Sequence, residues 1–237
     1  MNMSFVTVEN LSKNFEMGWL RKQRVQAVAQ ANFSLDEGEV LAMIGPNGSG
    51  KSTLLKILST LILPTSGNAA VGGFDVVRDA RRAREVISLV TNEDRSFFWR
   101  MSCYENLRFF CILNNLSEEI LGKRIRSTGE KLGLSESLHK RYDQCSTGIK
   151  RRLAIARALL SRPRLLMLDE PTNSLDPESA KSVRQIILEQ VQNYRTTVIY
   201  ITHHLEEIED FPASVAVMKD GIFTYLKKRG VLERHCS

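Results

Sequence analysis

Short apolar runs alternate with longer amphipathic stretches along this chain. Residues 5–11 alternate between apolar and polar and predict a strand. Residues 27–35 predict a second strand, ended by the turn Asp36-Glu37-Gly38-Glu39. A strand-like run over 39–44 and a helix-like run over 53–58 follow, and Pro64 closes that helical region. Residues 67–74 read as turn-rich with short apolar pieces, and 86–90 as a buried strand. From 103 to 160 the periods are helical and no convincing strand occurs, until Ser161-Arg162-Pro163 ends the region. Beyond it come an apolar run at 165–168, a helix at 177–194 and a strand at 196–201. A short helix at 205–210 precedes strands at 214–218 and 222–225, joined by the turn Asp220-Gly221. Apolar strands alternating with helices predict an α/β fold with a covered, mainly parallel sheet. The all-helical stretch between two strand regions reads as an inserted subdomain. There is no internal repeat and no low-complexity linker.

Composition adds bounds. At 237 residues, with 43% hydrophobic and 25% charged positions, the chain is one large domain or a core with a subdomain. No apolar run is long enough to span a bilayer, and the first residues lack a charged-then-apolar signal pattern. The expectation is a chain that does not itself cross a membrane and works in the cytosol. Cys103, Cys111, Cys145 and Cys236 are scattered without C-x-x-C pairing, which argues for free thiols over zinc or a disulfide framework. The net charge of +6 concentrates at Arg78, Arg81, Arg82 and Arg84. Helical spacing puts Arg78, Arg81 and Arg82 on roughly one face, and a solvated face is the expected role. No aromatic residue interleaves with these arginines, so no nucleic-acid partner is expected.

The chemistry starts at Gly45-Pro46-Asn47-Gly48-Ser49-Gly50-Lys51-Ser52-Thr53, which fits G-x-x-x-x-G-K-[ST], the phosphate-binding loop. A chance Gly-rich turn would not be expected between a strand and a helix, the setting that aims backbone N–H groups at phosphate oxygens. Lys51 is expected to reach β- and γ-phosphates, and the Ser52 hydroxyl to ligate Mg²⁺. Downstream, Leu165-Leu166-Met167-Leu168 runs into Asp169-Glu170. A buried strand ending in carboxylates delivers them to the C-terminal edge of the sheet, where ligands bind. Asp169 would hold Mg²⁺ through water and Glu170 would polarise an attacking water as general base, the Walker B arrangement.

Cys145-Ser146-Thr147-Gly148-Ile149 and the basic amphipathic run 150–160 complete the pattern. This segment resembles the signature sequence of ABC ATPases, usually LSGGQ. Ser146 and Gly148 match, whereas Cys145, Thr147 and Ile149 depart. A helix beginning here offers free N–H groups to an anion; equally, Ser146 is a good N-cap for an amphipathic core helix. The resemblance implies that Ser146, Thr147 and Gly148 face the γ-phosphate of ATP held by a partner subunit. Other positions of the family fall in order. Phe15 matches the aromatic that stacks on adenine, with a core phenylalanine as the alternative. Ser174-Leu175-Asp176 matches the D-loop, although Asp176-Pro177 is also a good helix start. His203 matches the switch histidine, with His204 as a rival. The family's Q-loop glutamine is missing: the chain reads Thr91-Asn92-Glu93-Asp94, with Asn92 the better match and Glu93 one residue away. Asn92 would then be a third metal-side residue beside Ser52 and Asp169. The aromatic and basic run Arg95-Ser96-Phe97-Phe98-Trp99-Arg100 lies where the family meets its membrane partner, with packing inside the subdomain as the alternative. It also resembles the corresponding run of exporter ATPase subunits.

The resemblance implies a P-loop core with an N-terminal antiparallel β region and an inserted helical subdomain. The cassette would span 5–232, with the core at about 5–92 and 159–232 and the subdomain at about 93–158. It further implies ATP hydrolysis with Mg²⁺, a homodimer or heterodimer of cassettes, a separate transmembrane permease, and a place on the cytoplasmic face of the cell membrane. Export is the expected direction. The alternatives are a soluble ABC ATPase acting outside transport, for example in cluster assembly, and a silent module that senses ATP as a clamp. Intact Glu170 and His203 favour hydrolysis over the clamp.

Overall fold

A computed structural model describes residues 4–17, 23–91 and 96–227. The strands are β1 (Val6–Met17), β2 (Gln23–Leu35), β3 (Val40–Ile44), β4 (Ser66–Val71), β5 (Phe74–Asp75), β6 (Ile87–Val90), β7 (Leu165–Asp169), β8 (Thr197–Ile201), β9 (Ala213–Lys219) and β10 (Ile222–Lys227). The helices are α1 (Lys51–Leu58), α2 (Ala80–Val86), α3 (Cys103–Leu113), α4 (Glu118–Lys131), α5 (Thr147–Leu160), α6 (Pro177–Tyr194) and α7 (Leu205–Glu209). All the strands join one sheet in the order β5-β4-β1-β2-β10-β9-β3-β8-β7-β6.

The block β9-β3-β8-β7-β6 is parallel. Strands β3, β7 and β8 are apolar at nearly every position because both faces are covered. Along β3, Val40 and Ala42 face a core shared with α3–α6, while Leu41 and Met43 face one shared with α1, β1 and β2. Each large apolar side chain buried this way contributes roughly 1.5–3 kcal/mol. At the other end, β1 pairs antiparallel with β2 and β4, giving the N-terminal antiparallel region. Among the described residues no helix is long and apolar enough to cross a membrane.

Three readings from the sequence need correction. Strand β1 continues past Leu11 to Met17, because register shifts at Val8/Leu11, Leu11/Lys13 and Lys13/Asn14 break the two-residue period that marks a strand. The stretch 67–74 is no mere turn: β4 and β5 form a hairpin about Gly72-Gly73, with Ala69 and Val71 buried. Arg78 lies outside α2, in a turn whose N–H groups at Val77 and Arg78 donate to Asp75 Oδ1 at 2.8 Å, so it shares no helix face with Arg81 and Arg82. The free-thiol reading holds for the described cysteines, although Cys103 and Cys145, distant in sequence, meet with sulfurs 3.4 Å apart. Both are free thiols, as is Cys111. Burial pushes Cys103 up to about 12, helped by the Cys145 contact, and Cys111 up to about 11. Cys236 lies outside the described residues.

Candidate functional site

Strand β3 ends at Ile44 on the C-terminal edge of the parallel block, and the chain loops through Gly45–Gly50 into α1. Two glycines are required by space as well as by conformation. Gly50 has φ 104°, and a Cβ there would sit 1.9 Å from the Ala27 carbonyl oxygen. Gly45 meets the Met218 oxygen at 2.0 Å in the same way. The loop is thus pressed between β2 and β9, and the Gly221 N–H donates to Ser49 O at 3.1 Å from the turn behind it. A cleft of about 420 Å³ opens above. Asn47, Gly48, Ser49, Gly50, Lys51, Ser52 and Thr53 line it, with Asp169 and Glu170 opposite and Val25, Gln26, Ala27, Asp220 and Gly221 at the rim.

Lys51 is 5% exposed, and its Nζ donates to Gly45 O at 2.7 Å, Pro46 O at 2.8 Å and Ser49 Oγ at 3.3 Å. Burial holds its pKa below the ordinary lysine value, while the nearby Glu170 and Asp169 charges pull the other way. Asp169, the last residue of β7, is buried and hydrogen-bonds the Ser52 side chain. Burial raises its pKa, the Ser52 bond lowers it, and the Glu170 charge raises it further. Ser52 and Asp169 therefore place two hard oxygen donors together on the phosphate side of the cleft, a donor set that suits Mg²⁺ completed by phosphate and water oxygens.

Glu170 takes φ 50°, the left-handed region that few non-glycine residues adopt. Its N–H donates to Ile201 O at 3.0 Å, and Asn173 Nδ2 donates to its Oε2 at 3.1 Å. His203 Nδ1 lies 3.2 Å from Glu170 Oε1. His204 turns away, with Nδ1 3.3 Å from Glu206 Oε1, so of the two histidines only His203 reaches Glu170.

The other candidates lie outside the cleft lining. Ser146 caps α5, accepting from the Ile149 N–H at 3.3 Å. Ser146 and Thr147 are exposed, and Gly148 is half-buried against Ser174 and Leu175. Asp176 caps α6, accepting from the Ser179 N–H at 2.9 Å, with Pro177 at the first helical position. Phe15 is 38% exposed and so is not a core residue; its cross-strand partner Val25 is on the cleft rim. In the aromatic run, Phe97 is buried and stacks on Tyr142 at 4.9 Å, whereas Phe98 and Trp99 are exposed, Trp99 at 70%. Asn92 and Glu93 lie outside the described residues.

The ABC transporter family profile matches residues 28–173. The chain belongs to that family. The cassette is 36% identical to the uncharacterized ABC transporter ATP-binding protein YdbJ of Bacillus subtilis (strain 168), over 83% of this chain and 62% of YdbJ. It is 30% identical to the ABC transporter ATP-binding protein NatA of the same organism, over 96% of this chain and 90% of NatA. It is also 30% identical to the methionine import ATP-binding protein MetN 3 of Oceanobacillus iheyensis, over 91% of this chain and 63% of MetN 3. The dimeric post-hydrolysis ATP-binding cassette MJ0796, solved with ADP and Pi, superposes with a TM-score of 0.86 at 27% identity, covering 95% of this chain and all of that one. The α/β P-loop architecture is that of ABC ATPases, and the domain is an ATP-binding, ATP-hydrolysing one.

One residue of this cassette's site escaped sequence reasoning. Arg151, in the first turns of α5, is buried. Its guanidinium donates to Pro171 O at 3.1 Å, Thr91 O at 2.6 Å and Asp169 O at 2.6 Å, and also to Glu170 O. One side chain so ties α5 to the end of β7 and to the last described residue before Asn92. The only signal in the sequence was a basic triplet, Lys150-Arg151-Arg152, which does not tell the buried arginine from its two half-buried neighbours.

Proposed function

We propose that this chain is the ATP-hydrolysing subunit of an ABC transporter and works as a cassette dimer beside a separate transmembrane permease, on the cytoplasmic face of the membrane. The observation that carries this reading is the convergence of Lys51, Ser52, Asp169 and Glu170 on one cleft, with His203 against Glu170. The reaction is ATP + H₂O → ADP + phosphate. The loop N–H groups and Lys51 hold the β- and γ-phosphates, and Phe15 stacks on the adenine. Mg²⁺, held by Ser52 and Asp169, supplies charge neutralisation at the phosphate oxygens. Glu170 accepts a proton from the attacking water, and His203 orients that carboxylate and the γ-phosphate. Ser146 and Thr147 are exposed, and all three of Ser146, Thr147 and Gly148 lie off the cleft, which supports their completing the site of the partner cassette, with Ser174 and Asp176 taking part beside them. We divide the cassette 5–232 into a core at about 5–92 and 159–232 and a helical subdomain at about 93–158.

The permease would dock on the subdomain, where Phe98, Trp99 and Phe109 expose aromatic surface. The exporter-like run ending at Arg100 supports export as the direction; a relative named for methionine import makes import the competing reading. The test is purification of tagged chain from detergent-solubilised membranes. A polytopic partner should co-purify, and its substrate should accumulate within inside-out vesicles on ATP addition, whereas loss from those vesicles would mark import. Recovery with soluble partners alone would point to the non-transport reading.

At the Q-loop position Asn92→Gln should be tolerated, since it restores the longer amide. Asn92→Ala should keep ATP binding but lose about ten-fold in permease-stimulated turnover, the size of one good hydrogen bond to a charged group. If Glu93→Gln is crippled and Asn92→Ala is normal, Glu93 holds the role.

A further inference from the structure

The proposal starts from Glu207, a buried carboxylate outside the cleft, on α7. It is 5% exposed and has four partners. Oε1 accepts from the Thr172 hydroxyl at 2.6 Å and from Arg184 Nη1 at 3.4 Å. Oε2 accepts from the Thr202 hydroxyl at 2.7 Å and the Tyr200 hydroxyl at 3.0 Å. Arg184 balances the charge and also bonds Asp210 at 2.6 Å. A buried charge with this many partners is strongly oriented.

The partners stand next to the reacting pair. Thr172 is two residues past Glu170, and the intervening turn continues into Asn173, which donates to Glu170 Oε2. Thr202 immediately precedes His203, and its hydroxyl oxygen also accepts the His204 N–H at 3.0 Å. One oxygen of Glu207 therefore grips the segment carrying Glu170, and the other grips the segment carrying His203. We propose that Glu207 is a positioning residue that holds His203 in register with Glu170. This rests on the reading of Glu170 and His203 as the groups that handle the attacking water.

The carboxylate is needed because it only accepts. In Glu207→Gln the amide oxygen would stay with Arg184 and Thr172, and the amide N–H₂ would turn toward Thr202 and Tyr200. The Thr202 hydroxyl, which donates to Oε2 and accepts the His204 N–H, loses its acceptor and meets the amide only through its second lone pair, so the grip on the histidine segment is the one weakened.

The test is steady-state hydrolysis by the purified chain, with Glu207→Gln and Thr202→Val each made alone and in a His203→Ala background. Each single variant should lose about ten-fold in kcat, with KM for ATP within about two-fold of wild type, because Glu207 touches no residue of the phosphate loop. In the His203→Ala background the further loss should be less than about two-fold, since there is no histidine left to position. Thr202→Val removes one hydroxyl and keeps the volume, so it carries the test should Glu207→Gln fail to fold. Wild-type kcat in the single variants, or an equal loss in both backgrounds, would overturn the positioning role. Wild-type turnover in His203→Ala is a different result and would overturn the reading beneath it.

Discussion

A Glu170→Gln chain is expected to hydrolyse ATP about 10²- to 10⁴-fold more slowly than wild type while binding it at least as well, the range general-base catalysis commonly supplies. The substitution keeps the volume of the side chain and one carbonyl oxygen. It replaces a carboxylate oxygen with N–H₂, which cannot take a proton from water. Glu170 is held by Asn173 on Oε2 and meets His203 at Oε1, so the base is aimed before substrate arrives. Removing a negative charge beside the phosphates leaves Lys51, Ser52 and Asp169 in place and does not weaken binding. The species that accumulates with ATP should be a dimer, visible as a shift in size-exclusion chromatography. Phosphate release and nucleotide titration on the same preparation check both halves. Turnover at the wild-type rate would remove Glu170 from the catalytic role.

Lys51→Ala should act at the opposite step, weakening ATP binding by about 100-fold, or about 2.8 kcal/mol. The ammonium is nearly buried and bonded to Gly45 O and Pro46 O. Deleting it removes the charge expected to face the β- and γ-phosphates and takes a donor from two loop carbonyls, of which Pro46 O keeps only the Ser49 N–H at 3.3 Å. A lowered melting temperature without nucleotide should therefore accompany the loss of affinity. Binding is checked by titration with a fluorescent ATP analogue, and unchanged affinity would contradict the phosphate-loop assignment.

Much of the fold was legible in the sequence because its central strands are covered on both faces. Strands β3, β7 and β8 are almost wholly apolar, and the C-terminal ends of β3 and β7 lead into the groups that converge on the cleft. The antiparallel edge was harder to read. Bulges in β1 shift the alternation, and the glycines of the β4–β5 hairpin hide two short strands. Single residues whose meaning depends on distant partners were not legible. Glu207 looks like one acid in a polar helix, and Arg151 like one base among several. Cys145, a departure from the usual signature, packs against Cys103, a neighbour that no local pattern reveals.

The position of β3 in the sheet has a consequence for how this protein is made. It spans Val40–Ile44, but its neighbours β8 and β9 span Thr197–Ile201 and Ala213–Lys219 and are synthesised long after it. A chain emerging from the ribosome thus carries an apolar strand with both edges open until β8 has emerged, and one edge open until residues through Lys219 are free. Contacts between such distant segments form slowly, and open strand edges pair with whatever strand is nearby. The topology that gathers the phosphate loop and the carboxylates on one edge makes the newborn chain depend on being kept apart from its own copies until β8 and β9 have joined the sheet.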